Sequence, residues 1–157
     1  MWFEDLAEWD FWGRKDSKRF FGEDYSTLST TVGWLEKGKP YTTGKAPNTL
    51  VEKLSEFIKT WKITNAYLGI HECDLCEVDL PPGHLNIIDG LGSRTTFIAY
   101  KDKLYIFPDL IIHYIKDHSY LPPAEFIEAA LDSTPQETVE YFMRIHKNRV
   151  IRKNLKK

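Results

Sequence analysis

Gly69-Ile70-His71-Glu72-Cys73-Asp74-Leu75-Cys76 holds both cysteines of a 157-residue chain, spaced C-x-x-C, with a histidine two residues ahead of the first. A tight turn between the cysteines brings both sulfurs toward one ion, and its backbone amides offset part of the thiolate charge. Two further histidines, His113 and His118, follow in Leu110-Ile111-Ile112-His113-Tyr114-Ile115-Lys116-Asp117-His118. Two thiolates and two imidazoles make a tetrahedral N/S donor set, which suits zinc. The expected fold is α+β: a small antiparallel sheet with packed helices, pinned by a zinc site.

Three histidines compete for two ligand positions. In an extended segment residues two apart share a side, so His71 and Cys73 can face the same ion. His113 lies in an apolar helical run, where a buried neutral imidazole needs a partner for each ring nitrogen and a metal satisfies one. His118 is five residues further, about 140° round a regular helix, and reaches the same ion only if the last turn opens. The expected ligand order is Cys73 and Cys76, then His113, then His71, with His118 as a substitute or an outer partner. Asp117, four residues after His113, is placed to orient the imidazole nitrogen that faces away from the metal.

Other chemistries use similar residues. A redox C-x-x-C pair belongs before a thioredoxin-like helix, and none follows here. A c-type haem needs a histidine where this chain has Glu77. The His-x-Glu and Pro-Cys-x-x-Cys order of a zinc deaminase is absent. An ordinary zinc finger separates its cysteine and histidine pairs by about 12 residues, whereas 36 separate Cys76 from His113. The structural alternative is two buried cysteines beside surface histidines.

Composition fits one domain over residues 1–157, long enough to bury a core. The chain has no run of 18 apolar residues, which argues against a membrane span. Its Met-Trp-Phe-Glu-Asp start lacks the order of a signal peptide. With two metal-spaced cysteines, this points to a reducing cytoplasm. The net charge of −2 hides an asymmetry: residues 1–143 carry −9 and residues 144–157 carry +7. That basic end is compatible with nucleic acid or an acidic partner. It is equally compatible with a solvated helix end whose cations favour the negative pole of the macrodipole.

In chain order, an aromatic arm over residues 1–25 (Trp2, Phe3, Trp9, Phe11, Trp12, Phe20, Phe21 and Tyr25) is expected to pack across the domain. The spacing of Leu50, Leu54, Phe57, Ile58 and Trp61 predicts a helix over Asn48–Trp61, with Thr49 and Glu52 as a capping box. Strands are expected at Tyr67–Ile70, Leu85–Ile88, Thr95–Tyr100 and Lys103–Phe107, with a tight hairpin at Lys101-Asp102. Pro108 and Asp109 open a buried helix carrying His113. A short helix follows over Glu125–Leu131, and Thr134-Pro135-Gln136-Glu137 caps a last helix expected over 135–157.

Three blocks carry a family likeness. They are Val32-Gly33-Trp34-Leu35 through Pro40-Tyr41-Thr42-Thr43-Gly44-Lys45-Ala46-Pro47, the cysteine block above, and His113-Tyr114-Ile115-Lys116-Asp117-His118-Ser119-Tyr120-Leu121-Pro122-Pro123-Ala124-Glu125-Phe126. Through them the chain resembles an uncharacterised family of small bacterial proteins, a domain of unknown function, from about residue 2 to residue 131. The resemblance implies that His71, Cys73, Cys76, His113 and His118 all occupy motif positions, and it implies no activity. The expected function is a zinc-stabilised binding or adaptor module for an unknown protein partner, with no catalytic residue assigned. The alternatives are a zinc-dependent hydrolase in which Glu72 or His118 moves protons, and a nucleic-acid binder through residues 144–157.

Overall fold

The two longest strands form because apolar, strand-favouring runs flank a turn that reverses within two residues, and β4 is buried at every position after Lys103. Strands β3 (Arg94–Tyr100) and β4 (Lys103–Pro108) pair antiparallel from Thr95↔Pro108 to Tyr100↔Lys103. Lys101 and Asp102 between them both have positive φ, 47° and 61°. This is the primed two-residue turn whose twist matches that of the strands. The computed structural model describes residues 2–9 and 29–144. Two short strands complete the sheet: β1 (Thr30–Thr31) and β2 (Thr64–Ala66), in the order β1-β4-β3-β2. β2 joins β3 antiparallel, but β1 lies parallel to β4. The sheet is therefore mixed rather than purely antiparallel, and a two-residue strand has too little periodicity to announce its direction.

Helix α1 (Leu50–Ile58) buries Leu50, Leu54, Phe57 and Ile58 along one face, the stripe that the spacing predicts. It packs on β3, on α2 (Ile111–Asp117) and on α3 (Ala124–Asp132). Each large side chain fully buried there contributes about 1.5–3 kcal/mol as an upper estimate. The helix is shorter than expected. Thr60 turns extended, and a 3-10 turn over Trp61–Ile63 follows. Trp61, expected on the buried stripe, is 79% exposed. The Thr49–Glu52 capping box does not form, because Thr49 already has helical dihedrals (φ −82°, ψ −11°) and makes no side-chain cap. A capping side chain needs an extended residue at that position.

The second capping box does form. Thr134 N–H donates to Glu137 Oε2 (2.6 Å) and Glu137 N–H donates to Thr134 Oγ1 (3.3 Å). Helix α4 runs from residue 135 to residue 144, where the described residues end. It lies over β3, with Thr138 Oγ1 accepting from Ala99 N–H (3.0 Å) and Phe142 edge-on to Phe97.

The described part of the aromatic arm packs, as its composition suggests. Leu6 N–H donates to Thr31 O, Thr31 N–H to Ala7 O and Trp9 N–H to Ser29 O, so residues 6–9 flank β1. The rings of Phe3, Trp9 and Trp34 meet at centroid distances of 4.9–5.7 Å. Residues 10–25 of that arm, and residues 145–157 of the basic end, lie outside the described residues. Asp5 ties the arm to the centre of the molecule: its carboxylate accepts from Gly33 N–H (2.9 Å) and from Tyr120 Oη–H (2.8 Å).

Two expected strands are absent. Residues 67–70 and 85–88 are irregular, and Leu85 and Ile87 are each 53% exposed. Their apolar character is real, but among the described residues 67–70 keep only the backbone bond from Tyr67 N–H to Ser93 O. Residues 85–88 bond backbone to backbone only locally, which is too little pairing to make a strand.

Candidate metal centre

Four donors converge where the cysteine turn meets the end of α2. Cys73 Sγ lies 3.3 Å from His118 Nε2, and Cys76 Sγ lies 3.1 Å from His113 Nε2 and 3.5 Å from His118 Nε2. The two imidazole Nε2 atoms are 3.1 Å apart. All four donor atoms fall within 4.8 Å of one another. Around a tetrahedral ion with bonds of about 2.3 Å to sulfur and about 2.0–2.1 Å to nitrogen, an S···N edge measures about 3.5 Å and an N···N edge about 3.3 Å. These four separations match those edges with a slight contraction, and all donors lie within 4.8 Å, so the residues fit a bound metal ion.

The cysteine half is delivered by a strand that keeps going after its regular pairing ends. Beyond β2, Tyr67 N–H donates to Ser93 O and His71 N–H to Gly92 O, both at 2.7 Å. Gly92 has φ +111°, and a Cβ there would sit 2.3 Å from His71 O, so only glycine allows this approach. The chain then turns at Asp74-Leu75, with Cys76 N–H directed to Cys73 O (3.4 Å). Farther along, Glu72 Oε1 accepts from Asn86 N–H (2.6 Å) and closes the loop on itself.

The histidine half comes from α2. Its start is fixed by Asp109, 1% exposed, which accepts from Gly92 N–H through Oδ1 (2.8 Å) and from Arg94 Nε through Oδ2 (3.1 Å). Gly92 therefore bonds to both halves of the site, to the cysteine segment through its carbonyl and to the histidine helix through its amide. His113, buried, donates from Nδ1 to Asp117 Oδ2 at 2.7 Å. A carboxylate only accepts, so the proton lies on Nδ1 and the Nε2 lone pair faces the sulfurs.

His118 reaches the cluster because α2 stops before it. The helix ends at Asp117; His118 leaves helical geometry (φ −120°, ψ 13°) and Ser119 has φ +52°. Tyr114 O accepts from both His118 N–H and Tyr120 N–H, at 3.1 Å each, and seals this end. The turn opens as the angular argument required, and the two imidazoles meet nearly perpendicular, at 85°. His71, ranked ahead of His118 in the sequence reading, is exposed and stands outside the four. Its main chain serves the site while its side chain does not join it. The sequence reading also missed the support from Asp109 and Gly92. The only signal for it was an acid behind Pro108 and a glycine between two turns.

Electrostatics explain why this donor set calls for a cation. Burial pushes the Cys73 thiol up to about 11, against the pull of the Leu75 and Cys76 amides aimed at its sulfur. Burial, and then the neighbouring His113, hold the His118 imidazole below its ordinary value. Burial also raises the Tyr114 phenol beside them, so it stays protonated. Neutral imidazoles are ready ligands, and a bound divalent ion supplies the charge that stabilises thiolates.

The chain belongs to a family described as a domain of unknown function, DUF7919, whose model matches residues 1–131. All four donors, together with Gly92, Asp109 and Asp117, lie inside that span. No curated protein and no solved structure matches the chain.

Proposed function

We propose that this protein is a zinc-stabilised binding or adaptor module in which Cys73, Cys76, His113 and His118 are the ligands. One observation carries this reading: four N/S donors, from segments far apart in sequence, converge within 4.8 Å, four of their pairs at 3.1–3.5 Å. When bound, zinc would supply a cross-link between the cysteine loop and α2. The protein's own groups do the rest, with Asp117 orienting His113 and the Leu75 and Cys76 amides facing Cys73. Four protein donors leave no open position for a substrate or water. Glu72 is engaged by the Asn86 amide, so the hydrolase reading gains nothing here. The nucleic-acid reading rests on residues 144–157, of which only Arg144 is described, and no described residue favours it. Thiol ligands suit a reducing compartment, which supports a cytoplasmic setting; no helix among the described residues is long and apolar enough to cross a membrane.

Elemental analysis of purified protein tests the assignment. The wild-type chain should carry about one zinc, as a closed four-ligand site requires. Cys76→Ser, His113→Ala and His118→Ala should each lose most of it, and His71→Ala should keep it. Full zinc in His118→Ala together with loss in His71→Ala would reverse the ligand assignment.

A further inference from the structure

The loop between β2 and β3 carries more than ligands. Leu68, Ile70, Val78, Leu80, Leu85 and Ile87 are all exposed there, six of the ten large exposed apolar side chains among the described residues. Such a concentration on a held segment marks an interaction surface rather than scattered surface leucines. The loop is held: its ends and middle are fixed by His71 to Gly92, Glu72 to Asn86 and the Cys73–Cys76 turn. Its charge is one-sided. Asp74, Glu77, Asp79 and Asp89 are exposed, and no lysine or arginine occurs between Lys62 and Arg94.

We infer that this loop docks a segment of a partner protein in which lysines or arginines are interleaved with large apolar side chains. The inference rests on the metal-stabilised module proposed above and names its partner's chemistry. Charge complementarity selects that occupant. Nucleic acid and anionic lipid would bring negative charge to an acidic face. A second copy meeting the same face by two-fold symmetry would set each acid against its own kind. The apolar side chains supply the contact area, and the acids steer a cationic segment and reject an anionic one.

The test titrates metal-loaded full-length protein with three synthetic 14-residue amphipathic peptides: lysine with leucine, glutamate with leucine, and lysine with serine. Zinc content and oligomeric state are measured for every sample. The lysine–leucine peptide should bind best, and its affinity should fall as salt rises. Leu85→Ser/Ile87→Ser and Glu77→Gln/Asp79→Asn, none of them a metal ligand, should each weaken it by ~tenfold or more, the effect of losing interface anchors. Equal binding by the glutamate–leucine peptide, or unchanged binding by both loop variants, overturns the inference. So does binding that appears only once residues 147–157 are deleted, which would assign the face to the chain's own end. A zinc-loaded, folded protein that binds none of the peptides sinks this inference alone. A zinc-free protein that binds as described sinks the metal reading and leaves the docking face standing.

Discussion

The β3–β4 hairpin with α1 and the cysteine loop over residues 67–92 share the strand β3, yet they are held together by different forces. The hairpin pairs its backbone in full register and buries Ile98, Tyr105 and Phe107 in one core cluster with Leu50, Leu54 and Phe57 of α1. The loop has exposed apolar side chains and only a handful of backbone bonds to its neighbours. Burial suffices for the first. The second needs cross-links, and the four-donor cluster, Gly92 and the Glu72–Asn86 contact are where it has them. A metal bound at that cluster would have a local task, to hold a surface loop on a core that stands on its own contacts.

Breaking the core should give the largest effect. Phe57, wholly buried on α1, costs about 3–5 kcal/mol when cut to alanine, and chemical denaturation should show the whole chain weakened, with or without zinc. Gly92→Ala should cost less, about 1–3 kcal/mol for backbone strain at a positive φ. Its added Cβ meets His71 O, so zinc affinity should drop more than stability does. Competition with a chelator, set beside a melting curve, separates the two. A Gly92→Ala protein with unchanged zinc affinity would show that the loop does not depend on that contact.

The core-anchoring arm and the metal site should also differ in sign with pH. Asp5 on the arm has a raised pKa because burial outweighs the hydrogen bonds from Gly33 and Tyr120. Its contribution is therefore fully present below the unfolded value of about 3.9 and is lost as pH rises through the folded one. His118 has a lowered pKa. Its contribution is present above about 6.5 and is lost as pH falls through the folded value, and protons compete with metal for the same nitrogen. Asp5→Asn should flatten the acid side of the stability–pH curve, and removing metal should remove most of the loss below about pH 6. An unchanged loss in metal-free protein would detach that pH dependence from the metal and leave it to the burial of His118.

The parts legible in sequence are those whose signal is periodic or chemical. The α1 stripe, the β3–β4 hairpin, the Thr134–Glu137 box and the Cys/His donor types were all readable from spacing. What escaped depends on where an element stops. Whether His71 or His118 joins the donors is decided by α2 ending at Asp117 and by a left-handed Ser119, and neither leaves a mark in composition. Leu85–Ile88 has strand-like residues, but pairing is a tertiary property; Leu85 and Ile87 face solvent while Ile88 packs against the core. Thr49 matched a cap motif whose backbone had already become helical.

Backbone hydrogen exchange of the purified protein, before and after a chelator strips the metal, tests the local role most directly. The account predicts that amides over residues 69–92 lose protection on metal removal, while those of β3 from Thr95 onward, β4 and α1 keep theirs. Equal loss across the hairpin and α1 would make the metal a keystone of the whole fold. An unchanged loop would mean that the cluster does not hold it at all.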